Sequence, residues 1–142
     1  MKRQLRLFFA VAIVAVALFG CKKEDCPEAD DITKISGVWV GKYCGSCTDT
    51  ALTNVDVTFE INSTGEIIVH DGLTTPTAPD AGKAKGTWTL DGTTFRATFK
   101  FLTLDVNRNI VATMSSDFES FSGTRGQNGA TTGSGVIKMV KQ

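Results

Sequence analysis

Along most of the chain, apolar and polar positions alternate with a period of two. Val55, Val57, Phe59 and Ile61 are interleaved with Asp56, Thr58 and Glu60, and Phe95, Ala97, Phe99 and Phe101 with Arg96, Thr98 and Lys100. Successive side chains of a strand point to opposite faces, so each run offers one face to a core and one to water, the pattern of antiparallel sheet. Shorter runs repeat it at Gly37 to Tyr43, Glu66 to His70, Gly86 to Leu90, Asn109 to Met114, Asp117 to Ser122 and Gly135 to Lys141. About eight strands are predicted, and no stretch carries a capped apolar stripe of helical period. Threonine, a β-branched residue suited to the wet face of a pleat, is frequent throughout this region.

Turn residues fall between these runs. Asn62-Ser63-Thr64-Gly65 joins two of them, and Asp91-Gly92 reads as a two-residue hairpin turn. Hairpins make consecutive strands neighbours. Roughly eight strands in about 108 residues leave little chain for long crossovers. The fold class is therefore all-β, a small antiparallel meander barrel, with a β-sandwich as the alternative arrangement of the same strands.

The first 34 residues do not follow the pattern. Lys2, Arg3 and Arg6 precede an apolar run from Leu7 to Gly20. As a helix that run rises only about 21 Å, short of the roughly 30 Å of a bilayer's hydrocarbon core, so it reads as a secretory signal peptide rather than a spanning segment. Residues 22–34 are acidic and contain Pro27, which predicts a flexible tether. The domain plan is thus 1–20 signal peptide, 21–34 tether beginning at Cys21, and 35–142 β-barrel domain. The plan changes the meaning of the charge balance. The whole chain has 15 basic and 15 acidic residues and a net charge of zero, but the three basic residues of the leader leave with it, so the remainder is mildly acidic. No basic excess exists to bind nucleic acid.

Three resemblances sharpen this plan. Leu18-Phe19-Gly20-Cys21 resembles the lipobox of bacterial lipoproteins, which implies cleavage before Cys21, a diacylglyceryl group on its sulfur and an acyl chain such as palmitate on its amine. At about 0.8 kcal/mol per buried methylene, several chains anchor a protein without any spanning helix. Lys22-Lys23-Glu24-Asp25 is similar to the lipoprotein export signal of Bacteroidetes, which implies a lipid-anchored position on the outer face of the outer membrane. Asp49-Thr50-Ala51 likewise resembles the O-glycosylation motif of that phylum. Gly37-Val38-Trp39, with Gly41 and Tyr43 after it, and the repeat Gly86-Thr87-Trp88 are similar to the lipocalins and their calycin relatives. That likeness implies a barrel with a tryptophan closing one end.

Candidate chemistry is sparse. Once Cys21 is lipidated, Cys26, Cys44 and Cys47 remain in an oxidising compartment, where a structural disulfide is expected. Cys44 with Cys47 is the first pairing and Cys26 with either is the alternative. A redox site at Cys44-Gly45-Ser46-Cys47 would need a helix N-terminus to lower a thiol pKa, and none is predicted. Zinc held by Cys26, Cys44, Cys47 and His70 lacks a second close ligand pair. His70, the only histidine, ends a strand and reads as a polar surface residue, with no nucleophile elbow for it to serve. Asp117 and Glu119 share one wet face. The glycine-rich stretch from Gly123 to Gly135 lacks the Gly-Lys-Ser/Thr ending of a phosphate cradle and is predicted as a hairpin loop. The connection from Asp71 to Lys83 is long enough to gate a barrel mouth or serve as a spacer.

Neither an enzyme, a metal site nor a cofactor is therefore expected. The chain reads as a non-enzymatic binding module of the cell envelope for a small hydrophobic ligand, with Trp39, Phe59, Trp88, Phe95, Phe99, Phe101 and Met114 as the candidate lining. The same residues would equally fill the barrel. A solid core favours the alternative, a protein-interaction lipoprotein with an envelope partner, either an accessory subunit or an enzyme inhibitor. Phe121-Ser122-Gly123-Thr124-Arg125 is similar to the inhibitory loop of small lipoprotein inhibitors of lysozyme.

Overall fold

The structure, a computed structural model, describes residues 29–72 and 80–142. Eight antiparallel strands follow one another around a closed barrel: β1 (Gly37–Cys44), β2 (Val55–Ile61), β3 (Glu66–Asp71), β4 (Lys83–Asp91), β5 (Thr94–Phe101), β6 (Asn107–Met114), β7 (Ser120–Gln127) and β8 (Gly133–Lys141). Each pairs with its neighbours in the chain, and β8 pairs back onto β1 with Val40 opposite Val140. Closure satisfies the backbone groups that an open sheet would leave at two edges, and it selects the meander barrel over the sandwich.

Register carries the core. Trp39 lies opposite Phe59 and Phe59 opposite Val69, while Ala97 lies opposite Ile110 and Phe121 opposite Met139. Residues directly across a ladder share a face. These positions are buried and converge inside the barrel. Phe121 is the hub, with its ring centroid 5.0 Å from that of Phe95, 5.1 Å from Trp39 and 6.2 Å from Phe59.

One end of the barrel is closed by the chain itself. Ala29–Ile35 forms a short helix, α1, ahead of β1, and Ile35 is fully buried. The Trp39 indole N–H donates to the Ile35 carbonyl at 2.8 Å, and the Lys141 ammonium donates to the Lys34 carbonyl. At the same end the Trp88 indole N–H donates to the Asn62 carbonyl at 3.0 Å. Both tryptophans thus bury their rings and satisfy their one polar atom on backbone.

Four local expectations are corrected. Part of the segment predicted as tether is helical, because Ile32 and Ile35 stand three apart and reach the core from two turns of helix, too few to show a periodic stripe. The glycine-rich stretch predicted as a loop is mostly strand. β7 runs to Gln127 and β8 starts at Gly133, since Gly123 sits where a Cβ would lie 2.4 Å from the Ala112 Cα. Conversely, Asp117 belongs to the turn before β7, where its carboxylate accepts from the Glu119 N–H at 3.1 Å. The β4–β5 turn falls one residue later than the sequence suggests, on Gly92 and Thr93. Residues 1–28, with the signal peptide, Cys21 and Cys26, and the middle of the Asp71 to Lys83 connection lie outside the described residues.

Candidate functional site

At the end opposite α1, the inner face changes character. Asp71 lies opposite Val57, Arg108 opposite Phe99, Arg125 opposite Ile110 and Gln127 opposite Arg108. The register therefore aims all four side chains inward, in phase with the core, and Tyr43 joins them from β1 opposite Val55. The arrangement is an apolar barrel whose mouth is lined with two guanidinium groups, one carboxylate, one phenol and one amide.

Beside these groups is a cavity of about 340 Å³ that opens to solvent. Tyr43, Asp71 and Arg108 supply its polar wall, and Val55, Phe101, Leu104 and Val106 its apolar wall. Arg125 lies deeper, 4% exposed, with its guanidinium carbon 3.5 Å from the centre of the Tyr43 ring. A desolvated cation over an aromatic face is worth about 2 kcal/mol, part of what offsets burying that charge. Arg108 donates from Nη1 to the Gln127 side-chain oxygen, while its Nε has no hydrogen-bond partner among the described residues. The Asp71 carboxylate hydrogen-bonds Tyr43, and its Oδ1 atom is buried and without a partner among the described residues.

The electrostatics follow from this packing. Burial, and then the neighbouring Asp71 carboxylate, push the Tyr43 hydroxyl above its usual value of 10.0, while Arg125 pulls the other way. Burial lowers Arg125 below the usual guanidinium value, opposed by Tyr43 and Asp71. Tyr43 is the chain's one tyrosine, so tyrosinate absorbance reports it alone. Its midpoint is expected above pH 10 in the native protein and near 10 in denaturant. From pH 10 upward the unfolded chain releases a proton that the native state retains, so stability falls through that range, and the fall is shallower in Tyr43→Phe. A native midpoint at or below 10 would show that the phenol is neither buried nor held beside Asp71.

The seven candidate lining residues are brought together, but mostly as packing. Trp39, Phe59, Trp88, Phe95, Phe99, Phe101 and Met114 all belong to one buried cluster, with ring centroids of Phe59 and Phe99 at 6.0 Å and of Trp88 and Phe95 at 6.1 Å. Phe101 alone of the seven lines the mouth cavity. Cys44 and Cys47 form a disulfide at the end of β1, bracing the loop between β1 and β2 at this same mouth. Leu52 in that loop and Leu102 and Leu104 in the loop between β5 and β6 are exposed on the rim.

His70 is placed differently from expectation. It is fully buried rather than a surface residue, and its Nε2 lies 2.6 Å from the Glu60 carboxylate. Among the described residues, no three metal-binding side chains converge. Asp49 caps a turn of 3₁₀ helix (Thr50–Leu52), accepting from the Ala51 N–H at 2.8 Å.

Tyr43, Asp71, Arg108, Arg125 and Gln127 are not among the site residues that the sequence suggests. The signal that marks them is phase. Arg108 stands in step with Ile110, Ala112 and Met114, Arg125 with Phe121 and Gly123, and Asp71 with Ile67 and Val69. A charged residue in the apolar phase of a strand is either an error of register or a buried charge held for a purpose. No family model, no curated protein and no solved structure matches the chain.

Proposed function

We propose that the protein is a non-enzymatic, lipid-anchored binding module of the bacterial cell envelope, and that it takes a small ligand with an anionic group and an apolar body at the mouth of its barrel. One observation carries this reading: two arginines face inward at the edge of an otherwise apolar interior, beside a cavity of ligand size. Burying cations is costly, and the single inward carboxylate of Asp71 leaves the cluster one positive charge in excess. An anion restores the balance. The aliphatic and aromatic wall of Val55, Phe101, Leu104 and Val106 suits an apolar body attached to it. The filled interior below the mouth argues for a ligand held at the rim rather than one enclosed.

The anchor follows from Cys21 and its flanking residues.

Calorimetric titration of the full-length chain with 3-phenylpropionate tests the site. Saturable binding is expected, weakened at least tenfold in Arg108→Gln, because a hydrogen bond to a charged partner is worth about 1.5–3 kcal/mol. No saturable binding, or equal binding by the variant, would sink the reading. The exposed rim leucines Leu52, Leu102 and Leu104 support a second one, a protein-interaction lipoprotein that docks a partner over the mouth. That reading gains if an envelope protein copurifies in stoichiometric amount and the carboxylate does not bind.

A further inference from the structure

Within the mouth the two arginines are not equivalent. Arg125 is buried, its guanidinium is covered by the Tyr43 ring, and it forms no part of the cavity wall. Its charge is matched from within. Asp71 acts on both Arg125 and Tyr43 as a fixed negative charge, favouring the charged guanidinium and disfavouring the phenolate. Arg108 does line the cavity. Its Nη1 is taken by Gln127 and its Nε is buried, which leaves Nη2 as the nitrogen a ligand can reach. On the rim, Lys100 and Asp105 match each other at 2.6 Å, and Val55, Phe101, Leu104 and Val106 add no charge to the wall. Among the described residues, the wall therefore carries one uncompensated cation rather than two.

We infer that the mouth accepts a singly charged anion and discriminates against a doubly charged one of the same shape, and that Asp71 sets this selectivity. The ligand class is then a compact monocarboxylate, not a dicarboxylate or a phosphate monoester. The inference rests on the mouth being the binding site, as proposed above. Asp71 acts through its field and without touching the ligand, since a charge shielded from water is felt over several ångströms. A first carboxylate pairs with Arg108 and makes the cluster neutral. A second meets only the apolar wall and the repulsion of Asp71, and stripping its water is costly without a partner. Size agrees with the class. At the roughly 30 Å³ that each water molecule takes in the liquid, about 340 Å³ has room for about a dozen non-hydrogen atoms, the size of a compact aromatic acid rather than a long acyl chain.

Two probes of one size isolate the charge. Benzylmalonate carries two carboxylates on the frame of 3-phenylpropionate, and its monoamide carries one. In titrations of the full-length chain at about pH 8, the monoamide is expected to bind about tenfold more tightly than benzylmalonate, the scale of a unit charge several ångströms from Asp71 at an effective dielectric of about 20. Asp71→Asn keeps the shape, removes the charge and leaves Arg125 unmatched, so the gap is expected to close or reverse. The comparison in the native protein stands even if that variant does not fold. Benzylmalonate binding as tightly as its monoamide, or more tightly, overturns the inference while leaving the mouth as an anion site. An undiminished gap in folded Asp71→Asn overturns it too, since the second charge is then refused by something else. Absence of binding by both the monoamide and 3-phenylpropionate removes the mouth site and the inference together.

Discussion

Phe121→Ala is expected to destabilise the protein by about 3–5 kcal/mol, the range for deleting a buried aromatic ring. Phe121 is 2% exposed and touches three other rings from different strands, on β1, β2 and β5. A barrel cannot collapse onto the void, because its radius is fixed by closure of the eight strands, so the cavity term is felt almost in full. Each lost ring pair adds about 0.5–1.5 kcal/mol beyond area. Phe121→Leu, which keeps most of the volume, is expected to lose far less, and Thr113→Ala on the exposed face of β6 to stay within about 0.5 kcal/mol. Urea unfolding measures all three. A loss below about 1 kcal/mol for Phe121→Ala would mean that the interior is loosely filled and has room for a ligand beneath the mouth.

The strands were legible because a barrel of this size is one-sided. Every strand has a core face and a water face, so the alternation at Val55 to Ile61 and Phe95 to Phe101 names both the element and its buried side. Legibility fails where that rule is relaxed. α1 presents only Ile32 and Ile35 to the barrel, too few positions for a period. The glycines of β7 look like loop because glycine is the usual punctuation of turns, whereas here Gly123 leaves room for the backbone of β6.

The candidate site was visible only in outline. The seven apolar candidates are in fact one cluster, but whether such a cluster encloses space or fills it depends on how far the rings interpenetrate, and alternation carries no information on that. The polar mouth was written in the phase of Asp71, Arg108 and Arg125, yet a charge at a strand end is ordinarily taken as a departure from the strand rather than as its inner face. The β6–β7 hairpin sets Arg108 beside Gln127, but only closure of the barrel sets Arg125 over Tyr43 and turns separate irregularities into one cluster.

Gly86→Ala is expected to cost about 3 kcal/mol or more, and it tests how the barrel is curved. Gly86 faces inward between Ile67 and Phe99. A Cβ there would lie 1.9 Å from the Thr98 carbonyl oxygen and 2.5 Å from the Phe99 Cα, both backbone atoms of the paired strand. A side chain in the way can change rotamer, but these atoms can move only if β4 separates from β5, so the cost falls at or beyond the upper end of ordinary overpacking. Two residues on, the Trp88 ring stacks on Phe95, and separating the strands pulls that contact apart as well. The two Gly-x-Trp motifs therefore use glycine for different reasons. Gly37 adopts a φ of +137°, which side chains rarely tolerate, whereas Gly86 makes room for its neighbour. Gly45→Ala is the control, since no atom lies within 4 Å of the new methyl group. Relative to wild type, that change is expected to be neutral or stabilising by about 0.4–1 kcal/mol through the unfolded state. Urea unfolding of both variants gives the comparison, and a Gly86→Ala protein as stable as Gly45→Ala would show that β4 and β5 do not approach so closely.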